Sequence, residues 1–180
     1  MKEMPCSSRP NEGLAELLQA FRTDEQVWPS LEAWYYFEEA RSCWLGGAFI
    51  ACLVMCRLTL EELLRAPLAM ASSETEQFKL ALRGKFENLI DDVEKHGWCT
   101  PEEALELHWV RRQANSYIHT KPLGGRSRSE NAKQVREHVR RWSQLDPGTG
   151  EIVAHPGIVH DAERGLRAVL RFKGRRMTLF

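Results

Sequence analysis

The chain predicts an all-α fold, a single-domain helical bundle of about five to six helices. Three observations predict it. Apolar residues recur at helical spacing along most of the 180 residues. The breaks between these stretches fall at capping residues, Pro and Gly. The apolar fraction of 43% and charged fraction of 28% are ordinary for a globular chain with one sizeable core.

Residues 1–29 form an N-terminal extension. Pro5 and Pro10 loosen its start, and Leu14, Leu17, Leu18 and Phe21 allow a short helix. The bundle is expected over 30–172, followed by a basic C-terminal tail at 173–180. Ser30 is placed to cap a helix that begins at Leu31. Helical spacing then runs to about Arg65, where Pro67 is expected to stop it. Gly46-Gly47 predicts a kink or a break into two helices. The second half, from Ala48 to Met55, is apolar almost all round and reads as a central core helix.

The next helix is expected from Ser73, with Glu76 closing a capping box and Phe78, Leu82, Phe86, Leu89, Ile90 and Val93 as its stripe. Gly97 caps its C-terminus. The helix after it has the clearest bounds. Thr100 is the N-cap, Pro101 stands at N1, and Glu103 completes a capping box. Lys121-Pro122 and Gly124-Gly125 end it. A Gly/Arg/Ser loop at 123–130 leads to a polar, basic helix over about 130–145. Asp146 to Gly150 is a turn, and Ile152, Val153 and Pro156-Gly157 read as an irregular connector. A last helix covers about Ile158 to Phe172, with Ala162, Leu166, Val169 and Leu170 inward.

Composition narrows the function classes. No apolar run is long enough to span a bilayer, and Cys43 to Met55 is short and flanked by Arg41 and Arg57. The N-terminus lacks the apolar core of a signal peptide, so a cytoplasmic location is expected, with no membrane partner. Five cysteines is an odd number, and Cys43, Cys52 and Cys56 lie in an apolar helical pattern, as buried free thiols do. Cys52 and Cys56 stand four apart, but no second ligand pair has finger-like spacing, so no zinc and no other metal is expected. Charge is uneven within a net of zero. Residues 1–100 carry a net −6 and residues 101–180 a net +6. The basic half suits a polyanion, or the halves neutralise each other across the fold or a dimer.

The helix after Thr100 carries the candidate chemistry. With Arg112 at zero and about 100° per residue, His119 falls near −20°, Asn115 near −60°, Ser116 near +40° and His108 near −40°. Leu107, Val110, Ala114, Tyr117 and Ile118 take the other side. No acid lies near the centre of the polar face, whereas a solvated helix face usually mixes signs. The spacing alone carries little: an Arg followed five to seven positions on by a His is expected by chance about twice in this chain. Arg57 and Glu61 are spaced for an intrahelical ion pair, or for a supporting contact to the Arg–His helix.

The neighbours give the stripe its context. Glu38-Glu39-Ala40-Arg41 and Gly46-Gly47-Ala48-Phe49-Ile50-Ala51 run into Arg57-Leu58-Thr59-Leu60-Glu61. Phe86-Glu87-Asn88-Leu89-Ile90 follows, then Arg112-Gln113-Ala114-Asn115-Ser116-Tyr117-Ile118-His119. In order and spacing these resemble the HEPN superfamily of helical domains. The likeness is to a bacterial domain-of-unknown-function branch with an Arg-x-Gly-Asn-x-x-x-His helix, and it covers roughly residues 30–172. Ala114 stands where that branch usually has Gly, and Gln113 where nuclease members often have Asn, Asp or His.

The resemblance implies a metal-independent endoribonuclease, with Arg112 and His119 as its catalytic pair and no cofactor. It also implies a homodimer in which two such helices meet in a composite site. His119 suits proton transfer near neutral pH, and Arg112 suits a phosphorane. Asn115, Ser116, Lys121, Arg126 and Arg128 are the candidate phosphate and RNA contacts, within a basic 121–141 segment. A stress, toxin–antitoxin or phage-defence setting, with an antitoxin as protein partner, goes with this expectation. The alternative is a non-catalytic module that binds a nucleotide, RNA or a protein. A helix-turn-helix DNA binder fits poorly, because no small helix and short turn precede the basic 130–145 segment.

Overall fold

A computed structural model describes residues 28–71, 84–118, 143–145 and 152–174, with side chains described over 28–65, 84–118 and 154–173. Within these residues the fold is an all-α bundle: α1 (Leu31–Leu45), α2 (Phe49–Ala71), α3 (Phe86–Lys95), α4 (Pro101–Ile118) and α5 (Pro156–Gly174). A small hairpin, β1 (Ser143–Leu145) and β2 (Ile152–Ala154), precedes α5.

Capping chemistry sets the starts and stops. Ser30 Oγ accepts from Ala33 N at 3.0 Å, as its sequence position requires. The Gly46-Gly47 step is a full break. Gly47 sits at φ +74°, where an L side chain is strained. Gly47 N donates to Trp44 O at 3.1 Å and Ala48 N to Cys43 O at 2.8 Å, the two bonds of a Schellman ending. The same pair of bonds closes α3 around Gly97, from Gly97 N to Glu94 O and from Trp98 N to Val93 O. The Thr100–Glu103 box at the start of α4 is complete in both directions, at 2.8 and 3.3 Å.

Several expected boundaries move. Pro67 does not stop α2, which continues to Ala71. A proline removes one intrahelical bond, and the Leu-Ala-Met-Ala run after it has strong helix propensity. The helix expected from Ser73 is not continuous to Val93. Lys85 is extended at φ −65°, ψ 150°, and α3 begins at Phe86, after the weak helix former Gly84. The Ser73 cap itself lies outside the described residues.

The connector at Ile152 and Val153 is a strand. Ser143 pairs with Ala154, Gln144 with Val153 and Leu145 with Ile152, so 143–145 is also not helix as expected. Two β-branched residues suit this pairing. Pro156 and Gly157 belong to the first turn of α5, with Pro at the position it favours. His155 caps this helix: its Nδ1 accepts from Gly157 N at 3.1 Å. At the other end α5 runs two residues into the expected tail, and Lys173 sits 4.3 Å over the Trp28 ring.

α2 is the central element. Cys52, Leu53, Cys56, Leu60, Leu63 and Leu64 are buried in one core with Trp44 of α1, Leu89 and Ile90 of α3, Leu107 of α4 and Leu166 of α5. Each large apolar side chain buried here contributes about 1.5–3 kcal/mol. α5 lies close against α2 at Gly165. A Cβ there would stand 2.8 Å from Leu53 Cδ1 and 3.3 Å from Cys56 Cβ, so a side chain at 165 would require Leu53 to move. Cys52 and Cys56 are buried free thiols, as expected, while Cys43 is a free thiol only partly buried. A side-chain hydrogen bond with Cys56, then burial, pushes the Cys52 thiol well above its usual range. Thr59, fully buried on α2, satisfies its hydroxyl on Met55 O at 2.8 Å.

Candidate nucleic-acid interface

The candidate site lies on the outer side of α4. Its inner side is the expected apolar one: Leu107, Val110 and Ala114 are buried. Two of the expected inward residues differ. Ile118 is 46% exposed, and Tyr117 is half-buried with its hydroxyl in a polar contact.

Polar rungs hold α4 on both flanks. Toward α3, His108 Nε2 lies 3.1 Å from Asp91 Oδ1, and Arg111 Nη2 lies 3.0 Å from Glu87 Oε1. The partner numbers fall as the α4 numbers rise, so the helices are antiparallel. His108 is therefore not a free member of the stripe; it is largely buried against α3 and engaged there.

Toward α5 the helices are antiparallel as well. Arg171 pairs with Glu106. Arg164 Cζ lies 3.9 Å over the Trp109 ring. Gln113 Nε2 and Tyr117 Oη both donate to Asp161 Oδ2, each at 2.8 Å. Burial first, and then the bond to Asp161, push the Tyr117 phenol well above its ordinary value.

The helical wheel explains this division. Glu106, Trp109, Gln113 and Tyr117 fall within about 60–140° of Arg112 on one side, and His108 and Arg111 within about 40–100° on the other. Arg112 sits on the ridge between. It is exposed, and has no carboxylate partner among the described residues. Asn115 is partly buried, and Ser116 is exposed with its hydroxyl donating to Gln113 O at 2.7 Å. Exposed Leu105 continues the ridge toward the N-terminus of the helix. His119, Lys121, Arg126 and Arg128 lie outside the described residues, as does most of the 121–141 segment around them.

Sequence reasoning missed Asp161. The face of α4 lacks acids, but α5 brings one to its edge, and two uncharged donors take up the same oxygen. Gln113 and Tyr117 are the two residues of the motif stretch that do this. Their i, i+4 spacing is the one sequence signal that pointed to a shared partner.

Arg57 and Glu61 form the intrahelical ion pair at 3.3 Å, and Arg65 joins Glu61 from the other side. Arg57 also lies over Phe86 at 5.8 Å, toward α3. A separate apolar groove of about 570 Å³ opens between the start of α2 and the start of α5, lined by Phe49, Ile50, Val54, Met55 and Ile158 among others.

No group of three or more His, Cys, Asp or Glu is placed to hold a metal among the described residues. No described helix is long and apolar enough to cross a membrane. The chain matches no family model, no curated protein and no solved structure.

Proposed function

We propose that the α4 ridge is the phosphate-facing site of a HEPN-like endoribonuclease that cleaves RNA with Arg112 and His119, in a homodimer with a composite site. One observation carries this reading. α4 is tied on both flanks through its other polar side chains, while Arg112 on the ridge between stays exposed and without an acidic partner among the described residues. A cation without an acidic partner among the described residues, on a helix tied at both flanks, is positioned for an anion.

The chemistry is a transesterification. The ribose 2′-OH attacks the adjacent phosphorus, and the bond to the 5′-oxygen of the next nucleotide breaks. His119 takes the 2′-OH proton, and the leaving 5′-oxygen gains a proton from an acid, which in a dimer is the second His119. The products are a 2′,3′-cyclic phosphate and a 5′-hydroxyl. The Arg112 guanidinium meets the charge that develops on the non-bridging oxygens. Asn115 beside it orients the phosphate, and Lys121, Arg126 and Arg128 hold the flanking backbone.

The test is incubation of the pure protein with end-labelled RNA, with and without EDTA. The expected result is EDTA-resistant cleavage to those two termini, reduced at least about 10²-fold in His119→Ala. Cleavage that persists in both Arg112→Ala and His119→Ala overturns the assignment. Tight RNA or nucleotide binding with no turnover in the wild type supports the alternative, a non-catalytic binding module.

A further inference from the structure

We infer that Trp109 and Arg164 form a second phosphate-holding position, one helical turn along α4 from Arg112, that takes the next part of a single-stranded RNA chain. This inference rests on the reading of the Arg112 ridge as an RNA site, and it specifies the substrate as a polynucleotide strand rather than a single nucleotide.

The arginines on the outer face of α5 are not equivalent. Arg167 is bound to Glu163 of its own helix at 2.7 Å, and Arg171 to Glu106 of α4. Arg164 lies between these residues and His160 on the same stripe, but it has no hydrogen bond or ion pair among the described residues. Asp161 stands one turn away on α5, and its Oδ2 already accepts from Gln113 and Tyr117. What Arg164 does have is the Trp109 ring at 3.9 Å. Stacking on an indole fixes the guanidinium plane without using its N–H donors. Those donors stay available in a set orientation, which suits bidentate contact with a phosphate.

The spacing fits a chain. Trp109 and Arg112 stand three apart on one helix, so their Cβ atoms are about 5–6 Å apart. Successive phosphates rise about 3.4 Å per nucleotide in a stacked strand. Arg112 and the Trp109-held Arg164 therefore belong to neighbouring turns of one α4 surface, as groups that follow successive phosphates of a strand must. A strand laid along the α4–α5 seam meets both cations, and a mononucleotide meets only one.

The experiment measures affinity for a labelled single-stranded RNA of about twelve nucleotides across a series of salt concentrations. Wild type, Arg164→Gln, Arg164→Lys and Trp109→Leu are compared, with thermal melts to confirm that each is folded. Arg164→Gln is expected to bind roughly tenfold more weakly, with the log–log salt slope reduced by about 0.7. Arg164→Lys restores the slope, because it restores the charge. Trp109→Leu weakens binding without changing the slope, because it loosens the guanidinium and keeps its charge.

A wild-type slope in Arg164→Gln overturns the inference, as does a slope in Arg164→Lys that stays reduced. Cleavage is followed in parallel. If the wild type binds but does not cut, the catalytic reading falls and the slope test still decides this one. If it cuts and Arg164→Gln keeps the wild-type slope, only this inference falls. If it binds no RNA, both fall.

Discussion

The two flanks of α4 use their acids differently. On the α3 flank, Asp91 and Glu87 face a histidine and an arginine, His108 and Arg111. On the α5 flank, Asp161 faces two uncharged donors, Gln113 and Tyr117. Both arrangements tie α4 in place, and the α5 flank also carries one ion pair, Arg171 with Glu106, but Asp161 itself is taken up by uncharged groups. The second spends a carboxylate on an amide and a phenol, and leaves Arg112 and Arg164 beside it without acidic partners among the described residues. Cations on a helix face become a site where the local acids are occupied elsewhere. The proposed anion site rests on that flank and on the ridge beside it.

Three substitutions test that contrast. The largest effect on stability belongs to Asp161→Ala. It leaves the Gln113 amide and the Tyr117 hydroxyl without this shared acceptor in a partly buried seam, at a cost of about 2 kcal/mol. Chemical denaturation measures it. A change below about 0.5 kcal/mol would show that the α5 flank does not hold α4.

Next is Tyr117→Phe, which loses about 1 kcal/mol, a figure lowered for partial exposure. It also changes the alkaline behaviour. Tyr117 is held above its ordinary value of 10.0, so the folded chain keeps a proton that the unfolded chain releases there. That contribution is fully present below pH 10 and is lost as the pH rises above it toward the folded pKa. Melting curves between pH 9 and about 11 should fall less steeply in Tyr117→Phe than in the wild type. Parallel curves would remove Tyr117 from the rung.

The smallest effect belongs to the α3 flank. Asp91 and Glu87 are 62% and 51% exposed, so each pair is screened by water and salt. Glu87→Gln should cost about 0.5 kcal/mol at low salt, and less in high salt. A loss comparable to that of Asp161→Ala would erase the difference between the flanks.

Much of the helical frame was legible in the residues. Ser30, Gly46-Gly47, Gly97 and the Thr100–Glu103 box mark ends that depend on local bonds, and those bonds are present. The apolar pattern of Ala48 to Met55 marked the helix that all the others pack on. The misses were of two kinds. The pattern makes Pro67 a helix stop and Pro156-Gly157 part of a connector, but one lies inside a helix and the other opens one; a proline's effect depends on which bond it removes. The strands at 143–145 and 152–154 are three residues each, too short for any period to show.

The candidate site was legible only in part. The 100° rotation placed Arg112 on the open ridge, and that depends on α4 alone. The rungs to Asp91, Glu87 and Asp161 join residues 17 to 48 positions apart. No spacing rule within one helix reveals them. The pattern puts Tyr117 inward because a phenol counts as apolar there, but its hydroxyl donates to the carboxylate at the rim.

The central claim is that the α4 ridge carries RNA-cleaving chemistry. Its most direct test is the single-turnover cleavage rate of saturating RNA by Arg112→Ala against the wild type, in EDTA. The account predicts a loss of about 10²–10³-fold, larger than the loss in RNA affinity, because the guanidinium meets charge that develops only in the transition state. A rate within twofold of the wild type would contradict it.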